Sequence, residues 1–294
     1  MRILSWNIQA GLGPDNVISL ERIANAIRAC RYPDGGQADV ICLQEVTRGF
    51  PDLTQGREID QPAALEYLFP DHHAVFRPAV DLAPVGAATL ARWQFGCMIL
   101  SRHPVSQVFN HLLTQRGIGG KGMQRQALET IIEAPAGPLR IVTTHLEFNS
   151  PECRLNQAAQ LKALQHEAVP GVPILRMTPY AAQPRPAGLI LCGDFNLLAD
   201  SPEYRMLVNN DPDTGAGLTD AWRRLHPNEP HAGTCGWADP AQWPQGPHCR
   251  DFFFVNHDAH TRLSWIGVDQ EVRASDHQPV LLMLDTNTNP GDNT

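Results

Sequence analysis

The chain has 294 residues, 43% hydrophobic and 18% charged, which is enough to bury a sizeable core in one large domain or two small ones. Its 23 basic and 31 acidic residues leave a formal charge of -8, which disfavours non-specific attraction to polyanions, although a bound divalent cation reverses the field inside a phosphate site. No apolar run approaches the roughly 20 residues that span a bilayer, and seven scattered cysteines (Cys30, Cys42, Cys97, Cys153, Cys192, Cys235, Cys249) without a C-x-x-C pair argue against a zinc site or a disulfide framework.

Met1 runs straight into Ile3-Leu4-Ser5-Trp6-Asn7, a core strand that leaves no room for a leader, so a cytoplasmic protein with free thiols is expected. Further along, short apolar runs rich in branched residues predict buried strands over 2–8, 40–43, 96–100, 127–132, 139–144, 188–192, 251–255 and 279–284. Helices are predicted over 19–30, where Leu20, Ile23, Ala26 and Ile27 form one stripe, and over 152–167, where Leu155, Ala158, Ala159, Leu161 and Leu164 do the same. The class is α/β. Residues 169–186, with five prolines, and the Trp/His/Pro/Gly stretch 226–247 read as long surface loops, the kind that often carries function. One domain over 1–285 is expected, with a frayed polar tail over 286–294.

Polar residues stand at the ends of these runs, where open α/β sheets collect their active-site groups. Ser5-Trp6-Asn7 closes the first strand and Gln44-Glu45 follows the second. Hard cations such as Mg²⁺ take oxygen ligands, usually one or two protein carboxylates, which makes Glu45 the primary candidate ligand with Asn7 beside it. Thr143-Thr144-His145-Leu146 ends another strand, and Gly193-Asp194-Phe195-Asn196 another. Asp194 and Asn196 suit a water-positioning carboxylate and an amide donor to phosphate. Ser275-Asp276-His277 precedes the last run, and Asp251 opens the one before it. A histidine held in one tautomer by Asp251, with Asp276 on metal or nucleophile, fits this set. A Ser-Asp-His triad does not, because neighbours on an extended segment point to opposite faces.

Taken together, the ordered strings W-N, Q-E, T-H-L, G-D-F-N and S-D-H from Trp6 to His277 resemble the endonuclease/exonuclease/phosphatase superfamily. The resemblance implies a four-layered αββα sandwich with two mixed central sheets and a divalent-metal phosphoesterase that uses Mg²⁺ or Mn²⁺. It places Asn7 and Glu45 at the metal, Asp194 on the attacking water, and Asn196 and His145 on the scissile phosphate. Asp276 joins the metal or water network. His277, oriented by Asp251, becomes the phosphate electrophile or a proton-transfer group. Two departures stand out: Cys97 replaces an asparagine in a G-N-A-I-L-S-R string, and Cys249-Arg250-Asp251 shifts the arginine of an R-x-D string by one.

Substrate contacts are less marked. Arg116, Lys121 and Arg125 lie in a glycine-rich loop suited to a second phosphate, and Trp237 and Trp243 suit stacking on a base or covering an acyl chain. A nuclease-like phosphodiesterase, with nucleic acid as a candidate substrate, is placed slightly ahead of a lipid or small-molecule phosphoesterase such as a sphingomyelinase or inositol phosphatase. A non-catalytic binding module is opposed by the full set of metal and water residues. No stable membrane insertion is expected, and the sequence implies no protein partner.

Overall fold

The computed structural model describes residues 1–84, 86, 91–119, 122–167, 185–210, 217–237 and 242–285. Two six-stranded mixed sheets form its centre. In the first, β1 (Arg2–Asn7) runs parallel to β2 (Val40–Arg48) and antiparallel to β12 (Val280–Leu284). It is extended by β3 (His73–Leu82) and β4 (Trp93–Ser101) on one side and by β11 (Leu263–Val268) on the other. In the second, β7 (Leu139–His145) runs parallel to β8 (Leu189–Asp194). Here β5 (Val105–Leu112) and β6 (Gln126–Ile132) flank β7, while β9 (Thr219–Asp220) and β10 (Asp251–Val255) lie beyond β8.

Strand alternation sorts the side chains into three cores. Ile3, Val40, Cys42, Ile99, Leu128, Ile141, Ile190, Cys192 and Phe253 pack between the sheets. On the outer face of the first sheet, Leu4, Trp6, Ile41 and Leu43 meet α1 (Leu20–Ala29) through Ile23 and Ile27 and α2 (Gln61–Leu68) through Leu65. On the outer face of the second, Val142, Leu191, Phe252 and Phe254 meet α3 (Pro151–Ala163) through Ala158 and Leu161 and α4 (Pro202–Val208) through Tyr204 and Leu207. Each buried Leu, Ile or Phe contributes about 1.5–3 kcal/mol relative to exposure, so these three interfaces hold the layers together. Two short helices, α5 (Ala221–Leu225) and α6 (His257–His260), close the ends of β9 and β10. The result is the expected αββα sandwich.

Local chemistry sets the helix starts. Ser150-Pro151-Glu152 and Ser201-Pro202-Glu203 both place a serine N-cap before a proline, and each Oγ accepts a backbone N–H, from Cys153 and Tyr204 respectively. All eight predicted strands are present. The four strands that the pattern did not reveal, β3, β5, β9 and β11, are the four sheet edges. The predicted helix over 152–167 ends as α-helix at Ala163 and continues as a tighter 3₁₀ turn, Leu164–Glu167. Most of the proline-rich loop 169–186 and the tail 286–294 lie outside the described residues. Loop 226–247, where described, has no helix or extended strand; Cys235 alone bridges to His248 and His277. All seven cysteines are free and buried. Among the described residues no helix is long and apolar enough to cross a membrane.

Candidate active site

The inner faces of these strands begin apolar and become polar toward the end where the site lies. On β1 the inward positions are Ile3, Ser5 and Asn7; on β7 they are Ile141, Thr143 and His145; on β8 they are Ile190, Cys192 and Asp194. In register, His145 stands opposite Asp194, and Asp194 opposite Asp251 on the antiparallel β10. Three titratable side chains therefore line up across three neighbouring strands, facing Asn7 from the other sheet.

Glu45 reaches this place by breaking the alternation. Ile41 and Leu43 face outward, so a regular strand would turn Glu45 toward the helices. A bulge between Leu43 and Val46 in the β2–β4 pairing, with Glu45 at φ 59°, swings its carboxylate to the site instead. Asn196 also holds a left-handed backbone, φ 51°. Such conformations in non-glycine residues carry strain and cluster at functional sites. Gly193 is required by a close approach: a Cβ there would lie 2.0 Å from the Thr144 carbonyl oxygen, at φ +139°.

The side chains form one connected network. Asn7 Nδ2 donates to Glu45 Oε1 at 3.1 Å and to Asp194 Oδ2 at 3.0 Å. His277 Nδ1 donates to Asp251 Oδ2 at 2.8 Å, and its Nε2 lies 3.7 Å from Asp194 Oδ2. His145 Nε2 lies 3.5 Å from the same oxygen. The Asp194 carboxylate also accepts the Asn196 backbone N–H, and Asn196 Nδ2 donates to the Leu146 carbonyl. Supporting contacts fix the frame: Trp6 Nε1 donates to the His277 carbonyl, Ser275 Oγ to the Asn7 carbonyl, and Gln44 Nε2 to Thr143 Oγ1 across the sheets. Ser275 is thus a structural donor and not a nucleophile.

Electrostatics separates the two histidines. Burial disfavours charge on His277, but the carboxylates of Asp251 and Asp194 outweigh it and hold the imidazole well above its usual range, as a cation. Burial and the nearby Arg125 push His145 down to about 3, so it is neutral at pH 7. Burial acts upward on Asp194, yet His277 and the Asn7 hydrogen bond keep it below the ordinary carboxylate range. Asp251 is pushed up to about 6 by burial, and Asp276 is also raised by burial.

The donor set fits a hard divalent cation. Burial and the charge of Asp276 raise Glu45 to about 7, although a quarter of its side chain is open to solvent. The charge of His277 lowers Glu45 and Asp276 but does not offset their crowding, and an ion with oxygen ligands would supply the remaining counter-charge. Asp194, Asp251 and His277 also bring ligand atoms within 4.8 Å of one another. Their His277–Asp251 hydrogen bond already uses that geometry, so Glu45, Asn7 and Asp276 are the better oxygen set.

The ordered motifs, the two mixed sheets and this edge cluster coincide with a sequence match to the Endonuclease/Exonuclease/phosphatase family over residues 4–277. The chain belongs to the endonuclease/exonuclease/phosphatase family. It is accordingly a hydrolase of phosphoester bonds. Similar structures include an endonuclease/exonuclease/phosphatase from Beutenbergia cavernae, 23% identical with TM-score 0.67, covering 97% of this chain and 71% of the other. The 3' phosphatase NExo from Neisseria, bound to a product DNA hairpin, is 20% identical with TM-score 0.59, covering 97% and 99%. The mannosyl-6-phosphatase Bt3783 from Bacteroides thetaiotaomicron is 16% identical with TM-score 0.60, covering 97% and 99%. No curated protein matches the chain.

The weaker substrate candidates of this family member scatter. Arg116 is exposed on its loop, and Lys121 lies outside the described residues. Arg125 is no part of a solvated loop: it is 6% exposed, with Nε 3.7 Å from Glu147 Oε2 and Nη1 buried without a hydrogen-bond partner among the described residues. Its charge reaches His145. Trp237 is exposed under the Arg273 guanidinium, whereas Trp243 is buried. Cys97, in place of the asparagine, faces the core between the sheets, and its thiol is pushed up to about 12 by burial against a side-chain contact with Gln126. Sequence reasoning missed Thr234, whose Oγ1 donates to Asp251 Oδ2 at 2.6 Å. A lone threonine in a long loop carries no spacing signal that would have singled it out.

Proposed function

We propose that this protein is a Mg²⁺- or Mn²⁺-dependent phosphodiesterase with a nuclease-like mechanism. The observation that carries this reading is Asp194, a depressed carboxylate in hydrogen-bond reach of Asn7 and flanked by a cationic and a neutral imidazole. Glu45, Asn7 and Asp276 would hold the cation, which when bound would supply positive charge to stabilise the phosphate. Asp194 orients a water and takes its proton as the water oxygen attacks phosphorus in line; the P–O bond to the group opposite breaks, and the leaving oxygen departs as an alkoxide that takes a proton from solvent. His277, kept protonated by Asp251 and aligned through Nδ1, presents Nε2–H to the phosphate; His145 and Asn196 donate to its other oxygens. The buried guanidinium of Arg125 adds charge beside His145, while Arg116, Lys121 and Trp237 are assigned to the substrate's outer parts and the buried Trp243 is not.

Support for hydrolysis of smaller esters comes from the acidic surface, formal charge -8, and from the likeness to a mannosyl-6-phosphatase. A lipid or small-molecule phosphoester is therefore the second reading. Both are tested by hydrolysis of bis-p-nitrophenyl phosphate, p-nitrophenyl phosphate, single- and double-stranded DNA, RNA and sphingomyelin with Mg²⁺ or Mn²⁺, with EDTA, and with Asp194→Ala as the blank. Diester cleavage abolished by EDTA and by the substitution is expected; turnover of the monoester or of sphingomyelin alone would overturn the nuclease-like reading.

A further inference from the structure

One flank of the site carries an aromatic assembly that the phosphate chemistry leaves unused. Phe148, three residues beyond His145, is 43% exposed. Its ring meets that of Trp243 edge to face, 5.9 Å between centroids at 85°, and Trp243 itself is only 4% exposed. The Arg250 guanidinium lies 4.9 Å from the Trp243 centroid and 5.9 Å from that of Phe148. Arg250 is in turn fixed: Nη1 donates to the Asn196 carbonyl at 2.9 Å and Nε to His248 Nε2 at 3.0 Å.

These contacts tie an open phenyl ring to the backbone of Asn196, the residue assigned to the phosphate. The arginine displaced by one position relative to the R-x-D string is the link. An aromatic ring that keeps nearly half its surface in water forgoes burial, and one packed against a buried tryptophan and a bonded guanidinium has little rotational freedom left to lose on binding. Rigid aromatic faces beside a phosphate track are how proteins hold unpaired bases without reading their sequence.

We propose that Phe148 is a specificity-determining residue whose exposed face stacks the nucleobase adjoining the scissile phosphate of a single strand. This rests on the phosphodiesterase reading above. A base is favoured over an acyl chain because its edge can accept from the Arg250 N–H groups that Asn196 and His248 do not take, which hydrocarbon would strip of water without offering a partner. A single strand is favoured over a duplex because paired bases have their faces covered, and the charge of -8 offers a duplex backbone no general attraction.

The test uses the full chain with Mn²⁺ and two short single-stranded oligodeoxynucleotides, one with normal bases and one abasic on both sides of a single cleavable phosphate. Phe148→Ala is expected to raise KM on the normal strand roughly 5- to 150-fold, the equivalent of one stacked base, with kcat little changed. On the abasic strand it should stay within about twofold of the unaltered protein, and Phe148→Tyr should restore the normal KM. Equal losses on both strands, or no loss on either, would overturn the platform. So would a loss confined to sphingomyelin vesicles, which would assign the ring to a lipid chain. Absence of cleavage of either strand by the unaltered protein would count against the phosphodiesterase reading. Equilibrium binding of the normal and abasic strands to the unaltered and Phe148→Ala proteins decides the platform separately: Phe148→Ala must weaken only the normal strand.

Discussion

Asn7 Nδ2 donates to Asp194 Oδ2 at 3.0 Å, a bond that runs from the first sheet to the second where β1 and β8 both end. It couples the proposed cation site to the proposed water site through a single amide. Asp194→Asn keeps the shape and removes the charge, so the protein should stay folded while kcat falls about 10²- to 10⁴-fold, the usual share of general-base catalysis. Steady-state rates on the best diester, beside a thermal unfolding curve, check this. Turnover within tenfold of the unaltered enzyme would remove Asp194 from its assigned role.

A cation held by Glu45 should also stabilise the fold, because it binds the native arrangement and not the open chain. At about a hundred times its dissociation constant it adds about 2.7 kcal/mol. Mg²⁺ or Mn²⁺ is therefore expected to raise Tm, and EDTA to lower it again. Glu45→Gln should abolish the rise without lowering the metal-free Tm, since it replaces a carboxyl crowded by Asp276 with a neutral amide. A metal-dependent rise that persists in Glu45→Gln would place the ion elsewhere.

Gly193 is expected to tolerate no side chain. The added methyl would sit 2.0 Å from the Thr144 carbonyl oxygen, against backbone that cannot give way cheaply. Gly193→Ala should cost at least about 2 kcal/mol and part β8 from β7 one pair before His145 and Asp194 meet. Urea unfolding measures the first effect; loss of activity in the fraction that remains folded reports the second.

The Glu129 carboxylate gives the fold an acid limit outside the active site. Burial would raise it, but hydrogen bonds from His111 and Arg140 and the charges of Arg140 and Arg185 hold it at about 2, below the ordinary 4.5. A carboxyl depressed on folding stabilises fully above its unfolded value, and that stability is lost as pH falls from about 4.5 to about 2. The difference in unfolding free energy between the unaltered protein and Glu129→Gln should thus be up to about 3 kcal/mol near neutrality and should shrink across that window. A difference independent of pH from 6 down to 2.5 would refute it.

What could be read from the sequence follows the burial of each element. Interior strands such as β1, β7 and β8 are covered on both faces, so they appear as short runs rich in branched apolar residues, and Asn7, His145 and Asp194 stand out as the polar, metal-liking residues at their ends. The edge strands β3 and β5 are mostly half-buried or exposed and leave no such trace. Helix 19–30 was legible for the same reason as the interior strands, since Ile23 and Ile27 recur at helical spacing over an apolar face.

Composition, local periodicity and motif order therefore determined the fold class, the interior strands and the identity of the residues that converge, because those depend on short-range patterns and on which side chains can be buried. Tertiary structure alone decided how they converge. The bulge that turns Glu45 inward, the burial of Arg125 beside His145, the Thr234 contact to Asp251 and the Phe148–Trp243–Arg250 stack join residues far apart in the chain. Contacts of that kind arise from packing two sheets at one shared edge, and no local spacing encodes the distance between them.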